Sequence, residues 1–274
     1  MIDIFPDKKI DNPERLTLIV YLGTEYLSLA FYDPDERGSF FHQELTVDDQ
    51  TDTLTFLKEV FSNKSFFSLP FGKVWIMYNN PVFTFVPDSI YEEKYGKDLL
   101  KFQFLNNQGI VLNNIISNTG IRVIYRMPDD IYQLILNTFA KPVFIHYSVS
   151  FISYFLEKVK NINNRRMVVN LCENGLDIFC FSGESLLLGN YFQCKDESEA
   201  LYYILFTCKQ LQFNQLNDYL HITGEAIFKN KLIENLELYL KRIYLLDIPP
   251  AYHFEGIETS RIPFELAAIS ICGL

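Results

Sequence analysis

Three pairs of adjacent acids, Asp48-Asp49, Glu92-Glu93 and Asp129-Asp130, are the first places to look for chemistry in this chain. Two neighbouring carboxylates can share proton-transfer work or hold a divalent cation. Each pair also stands at or just before a helical start, where acids complement the positive end of the helix dipole, and that is the commoner role. The five cysteines, Cys172, Cys180, Cys194, Cys208 and Cys272, form no C-x-x-C pair, and four of them lie in apolar-periodic segments. They read as small buried hydrophobes, not as metal or redox groups. His42, His146, His221 and His253 are isolated, with no H-x-x-x-H spacing, so no metal site is expected from them. No serine sits in a G-x-S-x-G elbow. Residue types alone therefore assign no catalytic group.

The elements that would position such groups are written twice. Residues 19–33 read IVYLGTEYLSLAFYD and residues 168–182 read VVNLCENGLDIFCFS, two apolar runs broken by a small or polar cluster, about 149 residues apart. In the first copy, strands are expected over residues 16–22, 26–32 and 39–47, with turns at 23–25 and 33–38. A helix opened by Asp48, Asp49 and Asp52 follows, then a strand at 73–79. The second copy repeats that order: strands at 166–171, 176–181 and 186–193, a helix from Lys195 to about Leu211, and a strand at 219–223 ending in Gly224. Lys73–Asn79 falls on Tyr219–Glu225 at a shift of about 146. Such self-similarity marks a duplicated unit. Elsewhere, helices are expected over 97–105, 129–139, 148–159, 229–244 and 263–271, and strands over 121–125 and 143–146. The asparagine-rich 106–118 reads as a loop or hairpin. Two α/β halves are expected, residues 1–145 and 146–274, each with a mixed sheet opened by three antiparallel strands.

The 274 residues allow one large domain or two ordinary ones. A composition of 49% hydrophobic and 21% charged residues is that of a globular chain. The net charge of −10, with no basic cluster beyond Arg165-Arg166, opposes a nucleic-acid partner. No run reaches the roughly 18 apolar residues of a spanning helix. The first residues carry acids and a proline where a signal peptide carries a basic start and an apolar core. A cytoplasmic protein, not an integral membrane protein, is expected.

Three strands, helix, strand, in two copies, resembles the duplicated ribonuclease-H-like architecture of the actin, sugar-kinase and Hsp70 superfamily. Val20-Tyr21-Leu22-Gly23-Thr24 is similar to the first phosphate motif, D-x-G-T, and Val169-Asn170-Leu171-Cys172 stands in the place of the second, D-x-G. Residues 219–225, YLHITGE, resemble the adenosine-motif strand that ends in Gly-Gly, and the tail 266–274, LAAISICGL, resembles the final helix of cell-division and pilus-assembly actin homologues. As a whole chain the sequence looks like a bacterial family, a domain of unknown function, assigned to the actin-like ATPase fold. The resemblance implies a nucleotide cleft built around Gly23, Thr24, Asn170 and Gly224.

The departures from the family pattern bear on function. The acids that hold metal-bound water and phosphate are here Tyr21 and Asn170, which do not offer the negative oxygen that Mg²⁺ favours. Cys172 replaces the second motif's glycine, and Glu225 follows Gly224. The expected function is therefore a non-catalytic actin-like protein acting through a protein partner or self-association, with a vestigial cleft and no required cofactor. The alternative is a nucleotide-binding protein or weak ATPase or kinase that keeps ATP and Mg²⁺ by using other carboxylates, such as Asp33 or Asp177. An unrelated α/β enzyme is a third reading. Aromatic residues make up 16% of the chain, 25 Phe and 17 Tyr. Phe40-Phe41, Phe66-Phe67 with Phe71, and Tyr202-Tyr203 are neighbours that cannot all face one core. Phe66–Phe71 is then either packed core or part of a contact surface.

Overall fold

Strand β1, Thr17–Leu22, is buried at every residue, and its sequence reads as an unbroken apolar run because a strand covered on both faces has no solvent side. The computed structural model describes residues 4–5, 10–23, 26–36, 39–46, 51–105, 108–158, 164–172, 174–246, 248 and 262–272. Within it β1 is the middle strand of a five-stranded sheet ordered β3-β2-β1-β4-β8. β2, Tyr26–Tyr32, is antiparallel to β1, and β3, Phe41–Thr46, is antiparallel to β2. β4, Lys73–Tyr78, is parallel to β1, and β8, Val143–His146, is parallel to β4.

The change from antiparallel to parallel needs a crossover. Helix α1, Thr53–Phe61, provides it and buries Phe56, Leu57, Val60 and Phe61. Its N-cap is Asp52, whose carboxylate accepts from the Thr55 amide at 3.0 Å and the Thr55 hydroxyl at 2.6 Å. A short turn of helix, α2, Lys64–Phe67, leads back to β4.

A second sheet is built from β9, Arg165–Cys172, β10, Gly175–Ser182, β11, Ser185–Gln193, β12, Tyr219–Gly224, and β13, Ile243–Leu245. Its order is β11-β10-β9-β12-β13, with the same sequence of directions. The registers agree residue by residue. Tyr21 on β1 lies opposite Ser28 and Met77, and Asn170 on β9 lies opposite Asp177 and Thr223. Those equivalences are the 149-residue and 146-residue shifts visible in the sequence. One face of this sheet packs Val169, Leu171 and Ile178 against helix α6, Glu197–Gln210, and helix α7, Lys229–Leu236. Asp196 caps α6 by accepting from the Glu199 amide at 3.0 Å.

A third sheet lies between β4 and β8 in the chain. It comprises β5, Phe83–Pro87, β6, Ile110–Ile116, and β7, Ile121–Met127, ordered β5-β7-β6 and antiparallel throughout. Helix α3, Gly96–Gln103, joins β5 to β6, and helix α4, Asp129–Thr138, joins β7 to β8. Asn114 of β6 docks this sheet on the outer edge of β8. Its Nδ2 donates to the Phe144 carbonyl at 2.8 Å, and its Oδ1 accepts from the His146 amide at 2.8 Å. Arg122 fixes the sheet internally, donating to Asp88 and Asn113 with its guanidinium over the Tyr91 ring.

Helix α5 is Tyr147–Lys158 and helix α8 is Phe264–Cys272. The chain divides into two compact units, one of Met1–Ile116, Gly120–Ser150 and Pro249–Leu274, the other of Ser117–Thr119 and Phe151–Ile248. No helix among the described residues is long and apolar enough to cross a membrane.

The asparagine-rich stretch, expected as a loop or hairpin, holds the first arm of the β6–β7 hairpin, with Asn113 and Asn114 held by Arg122 and β8. Two other segments differ from expectation. The helix expected over 229–244 stops at Leu236, and Ile243–Leu245 pairs with β12 instead. β5, which follows Pro81 and ends on Pro87, is a strand that the sequence pattern does not announce.

Candidate functional site

At the end of β1, the position that the D-x-G-T resemblance gives to an acid is filled by Tyr21, fully buried. The Tyr21 hydroxyl donates to Glu265 Oε1 of α8 at 2.5 Å. It accepts from Asn79 Nδ2 at 2.8 Å and from the Tyr26 hydroxyl at 3.3 Å. Burial, then the nearby Glu265 charge, holds the phenol well above its ordinary pKa. Burial likewise raises the Glu265 carboxyl, opposed by the bond from Tyr21. Gly23 closes the hairpin by donating to the Tyr26 carbonyl at 3.0 Å, and a Cβ there would stand 2.8 Å from the Tyr26 ring. Thr24 lies outside the described residues.

The second unit has a different arrangement at the matching register. Asn170 Nδ2 donates to Asp177 Oδ2 at 3.0 Å, and Cys172 Sγ donates to the same oxygen at 3.7 Å. Asn170 and Asp177 are both buried, at 4% and 1% exposure. Tyr191 on β11 is pushed up to about 12, by burial first and then by Cys172 and Asp177. Gly224 ends β12 with φ +75°, and a Cβ there would fall 2.1 Å from the Leu171 carbonyl oxygen. Close approach of β12 to β9 thus requires this glycine. Glu225 is exposed and paired with Lys229 at 2.8 Å.

Magnesium and ATP are what the fold family implies, and the donors on β1 and β9 do not fit the metal. Mg²⁺ needs anionic or carbonyl oxygens in octahedral array. Tyr21 offers a protonated phenol already bonded to a carboxylate, and Asn170 turns its amide nitrogen to Asp177. Asp33 cannot substitute on β1. It follows β2, which runs antiparallel, so it lies at the far end from Gly23 and pairs with Arg15 at 3.0 Å. Among the described residues no group of three His, Cys, Asp or Glu is placed to hold a metal ion.

The acid pairs that can be located serve local structure. Asp129 and Asp130 stand in the first turn of α4, and Glu92 pairs with Lys94 at 2.6 Å. Asp48 and Asp49 lie outside the described residues. Cys180, Cys194 and Cys208 are buried, with burial raising Cys194 to about 11 and Cys208 to about 12.

The sequence reading did not single out the tie made by Glu265, Asn79 and Tyr26, nor the role of His146. His146 is fully buried and lowered to about 3 by desolvation. Its Nε2 faces the Asn80 carbonyl at 3.1 Å and therefore donates, while Nδ1 accepts from the Ser148 hydroxyl at 2.7 Å. It anchors the segment after β4 that carries Asn79. Nothing in the local sequence around His146 or Glu265 signals these partners, which lie 66 and 244 residues away.

The contact-surface reading of Phe66–Phe71 is corrected by the structure. Phe66 and Phe67 are buried, at 5% and 6% exposure. Phe66 packs on Phe5 and Phe71, and Phe67 packs on Phe61 and Phe139. Aromatic residues from three other segments supply the second face that helix periodicity could not reveal. Exposed aromatics lie elsewhere, among them Tyr202, at 59%, and Phe206, at 45%, one turn apart on α6 with rings 5.6 Å apart.

Comparison with known proteins places this geometry in a family. A family model described as "Protein of unknown function (DUF3822)" matches residues 6–243. A crystal structure from Bacteroides thetaiotaomicron VPI-5482, described as a protein with actin-like ATPase fold and unknown function, is similar at 27% identity and a TM-score of 0.84. The match covers 97% of this chain and 100% of that one. The PilM-PilN type IV pilus biogenesis complex is similar in fold at 10% identity and a TM-score of 0.59, over 95% of this chain and 98% of that one. No curated protein matches the chain.

Proposed function

The chain belongs to the DUF3822 family, and from that premise we propose that it is a non-catalytic protein of actin-like fold that acts by binding a protein partner. The bond from Tyr21 to Glu265 carries this reading. Where an ATPase of this fold needs a free anion on β1, this chain has a buried phenol committed to an internal carboxylate. Catalysed phosphoryl transfer depends on positioned charges around the phosphates, and an internal tie at that register opposes it. The residue set Gly23, Thr24, Asn170 and Gly224 is then the vestige of a nucleotide cleft. The two halves, residues 1–145 and 146–274, are the two copies of the duplicated unit, and the protein works in the cytoplasm. The exposed Tyr202 and Phe206 support a role in association, since exposed aromatics are favoured anchors at protein interfaces. That a protein of the same fold occurs in the PilM-PilN complex agrees with such a role.

The test is melting with and without Mg·ATP. A ligand at 100 times its dissociation constant stabilises a native state by about 2.7 kcal/mol, which for a chain of this size raises Tm by roughly 5–10 °C. No shift is expected at millimolar Mg·ATP. A shift of that size, or turnover in the roughly 1–100 s⁻¹ range of kinases, overturns the proposal.

A further inference from the structure

The carboxyl ends of the parallel strands β1 and β4 border a cavity of about 220 Å³ within the first unit. Crevices at such strand ends are the usual ligand sites of α/β sheets. This one is smaller than the roughly 300–1,000 Å³ of small-molecule sites, about the size of one large side chain. Its apolar walls include Leu22, Leu27, Phe56, Leu57 and Ile131, and among the described residues no Lys, Arg, His, Asp or Glu lines it.

Asn79, Asn80 and Tyr26, three polar side chains of its lining, already have partners. Asn79 donates to Tyr21. Asn80 donates to the Tyr78 hydroxyl at 3.0 Å and accepts from the Val82 amide at 2.6 Å. Tyr26 donates to Tyr21. An apolar entrant displaces none of these bonds, whereas a polar one meets side-chain groups already committed to one another, and a polar group left unpaired is costly when buried.

The rim is of opposite character. Asp52 caps α1 directly beside the lining residue Thr53, and Asp129 and Asp130 stand between the lining residues Pro128 and Ile131. All three acids are exposed, and none is in an ion pair among the described residues. The Asp130 charge also contributes to the raised pKa of Tyr78, after burial, which places it near the cavity wall. Anions are repelled from this mouth and cations are drawn to it.

We propose that this cavity is the anchor site for a partner protein's extended segment, taking one Phe or Leu side chain flanked by Lys or Arg residues that meet Asp52, Asp129 and Asp130. The inference rests on the protein-binding reading above and names the site and the partner's chemistry.

The probe is a fluorescein-labelled octapeptide with central Phe between Lys and Arg residues, titrated into the full chain. Controls carry central Ser with the same flanks, or central Phe with Glu flanks. The Phe-centred basic peptide should bind at least tenfold more tightly than either control. Its binding should perturb the methyl resonances of Leu22, Leu57 and Ile131. Thr53→Trp, a change at an exposed lining residue, should abolish binding. The triple variant D52N/D129N/D130N keeps its caps and should weaken binding at least tenfold while flattening the salt dependence. Equal binding of the three peptides, methyl shifts located elsewhere, or unchanged affinity in Thr53→Trp overturns the proposal. Methyl spectra of both variants show whether the fold persists. If T53W fails to fold, the methyl map and the triple variant decide. These failures leave Mg·ATP melting unaffected, so they are separable from failure of the non-catalytic reading.

Discussion

The hydroxyl of Tyr21 and the carboxylate of Glu265 meet at 2.5 Å although 244 residues separate them in the chain. Both groups are buried, so each is the other's principal means of staying satisfied. The bond ties the last described helix, α8, to the strand at the middle of the first sheet.

Tyr21→Phe should destabilise the chain by about 1.5–3 kcal/mol, the range for hydrogen bonds to charged groups. It leaves both the Glu265 carboxylate and Asn79 Nδ2 without their partner. Combining it with Glu265→Leu should recover part of that loss, because removing both ends of a buried polar pair costs less than removing one. Thermal melts of the two singles and the double give the coupling, and strict additivity would show that the bond contributes nothing.

The raised carboxyl of Glu265 predicts a pH dependence of definite sign. Its folded pKa lies above the ordinary 4.5, so over the interval upward from 4.5 the native state binds more protons than the unfolded one. Stability contributed by this group is present below 4.5 and is lost as pH rises through the folded value. Glu265→Gln mimics the protonated form and should remove that loss. The expected result is a difference between wild-type and variant Tm that shifts in the variant's favour from pH 4.5 toward pH 8. A constant difference would refute it.

His146, His42 and His221 predict the opposite slope. Burial lowers them to about 3, 4 and 4. Their contribution is fully present above 6.5 and is lost as pH falls through the folded values, because the unfolded chain takes up the protons. Their ring resonances should not titrate between pH 5 and 8. A midpoint near 6.5 for His146 would contradict its buried, doubly bonded placement.

Gly224→Ala should cost more than the about 1–2 kcal/mol of a left-handed backbone alone. The added Cβ meets the Leu171 carbonyl at 2.1 Å, and backbone must move to admit it. A variant that melts like the wild type would mean that this glycine is not held by β9.

Replacing Phe66 and Phe67 together with Ser should collapse the melting temperature, since deleting a buried Phe typically costs about 3–5 kcal/mol. Tyr202→Ser on α6 should stay within about 0.5 kcal/mol of wild type, as surface changes do. A folded F66S/F67S variant would restore the contact-surface reading of that segment.

Much of the sheet order was legible because β1, β9 and their hairpin partners carry it in local apolar patterns. Tyr21 and Asn170 could be matched by spacing alone, and their cross-strand partners follow the same shifts. The rest depends on partners remote in sequence. Asn113 and Asn114 look like loop residues until Arg122 and β8 occupy their amides. Phe66 and Phe67 look surplus until Phe5, Phe61 and Phe139 arrive. Of the site, the missing acids were readable, but not what fills their place on β1, since Glu265 sits in an apolar tail with no pattern pointing to Tyr21.

The amide of Asn114 has a consequence for life at high concentration. An outer strand with free peptide groups invites a second chain to add to it, which is how aggregates begin. On β8 two of those groups, the Phe144 carbonyl and the His146 amide, are already answered by one side chain that imitates a neighbouring peptide. The sheet is finished there without a sixth strand, and a polymerising neighbour finds that stretch of backbone already taken.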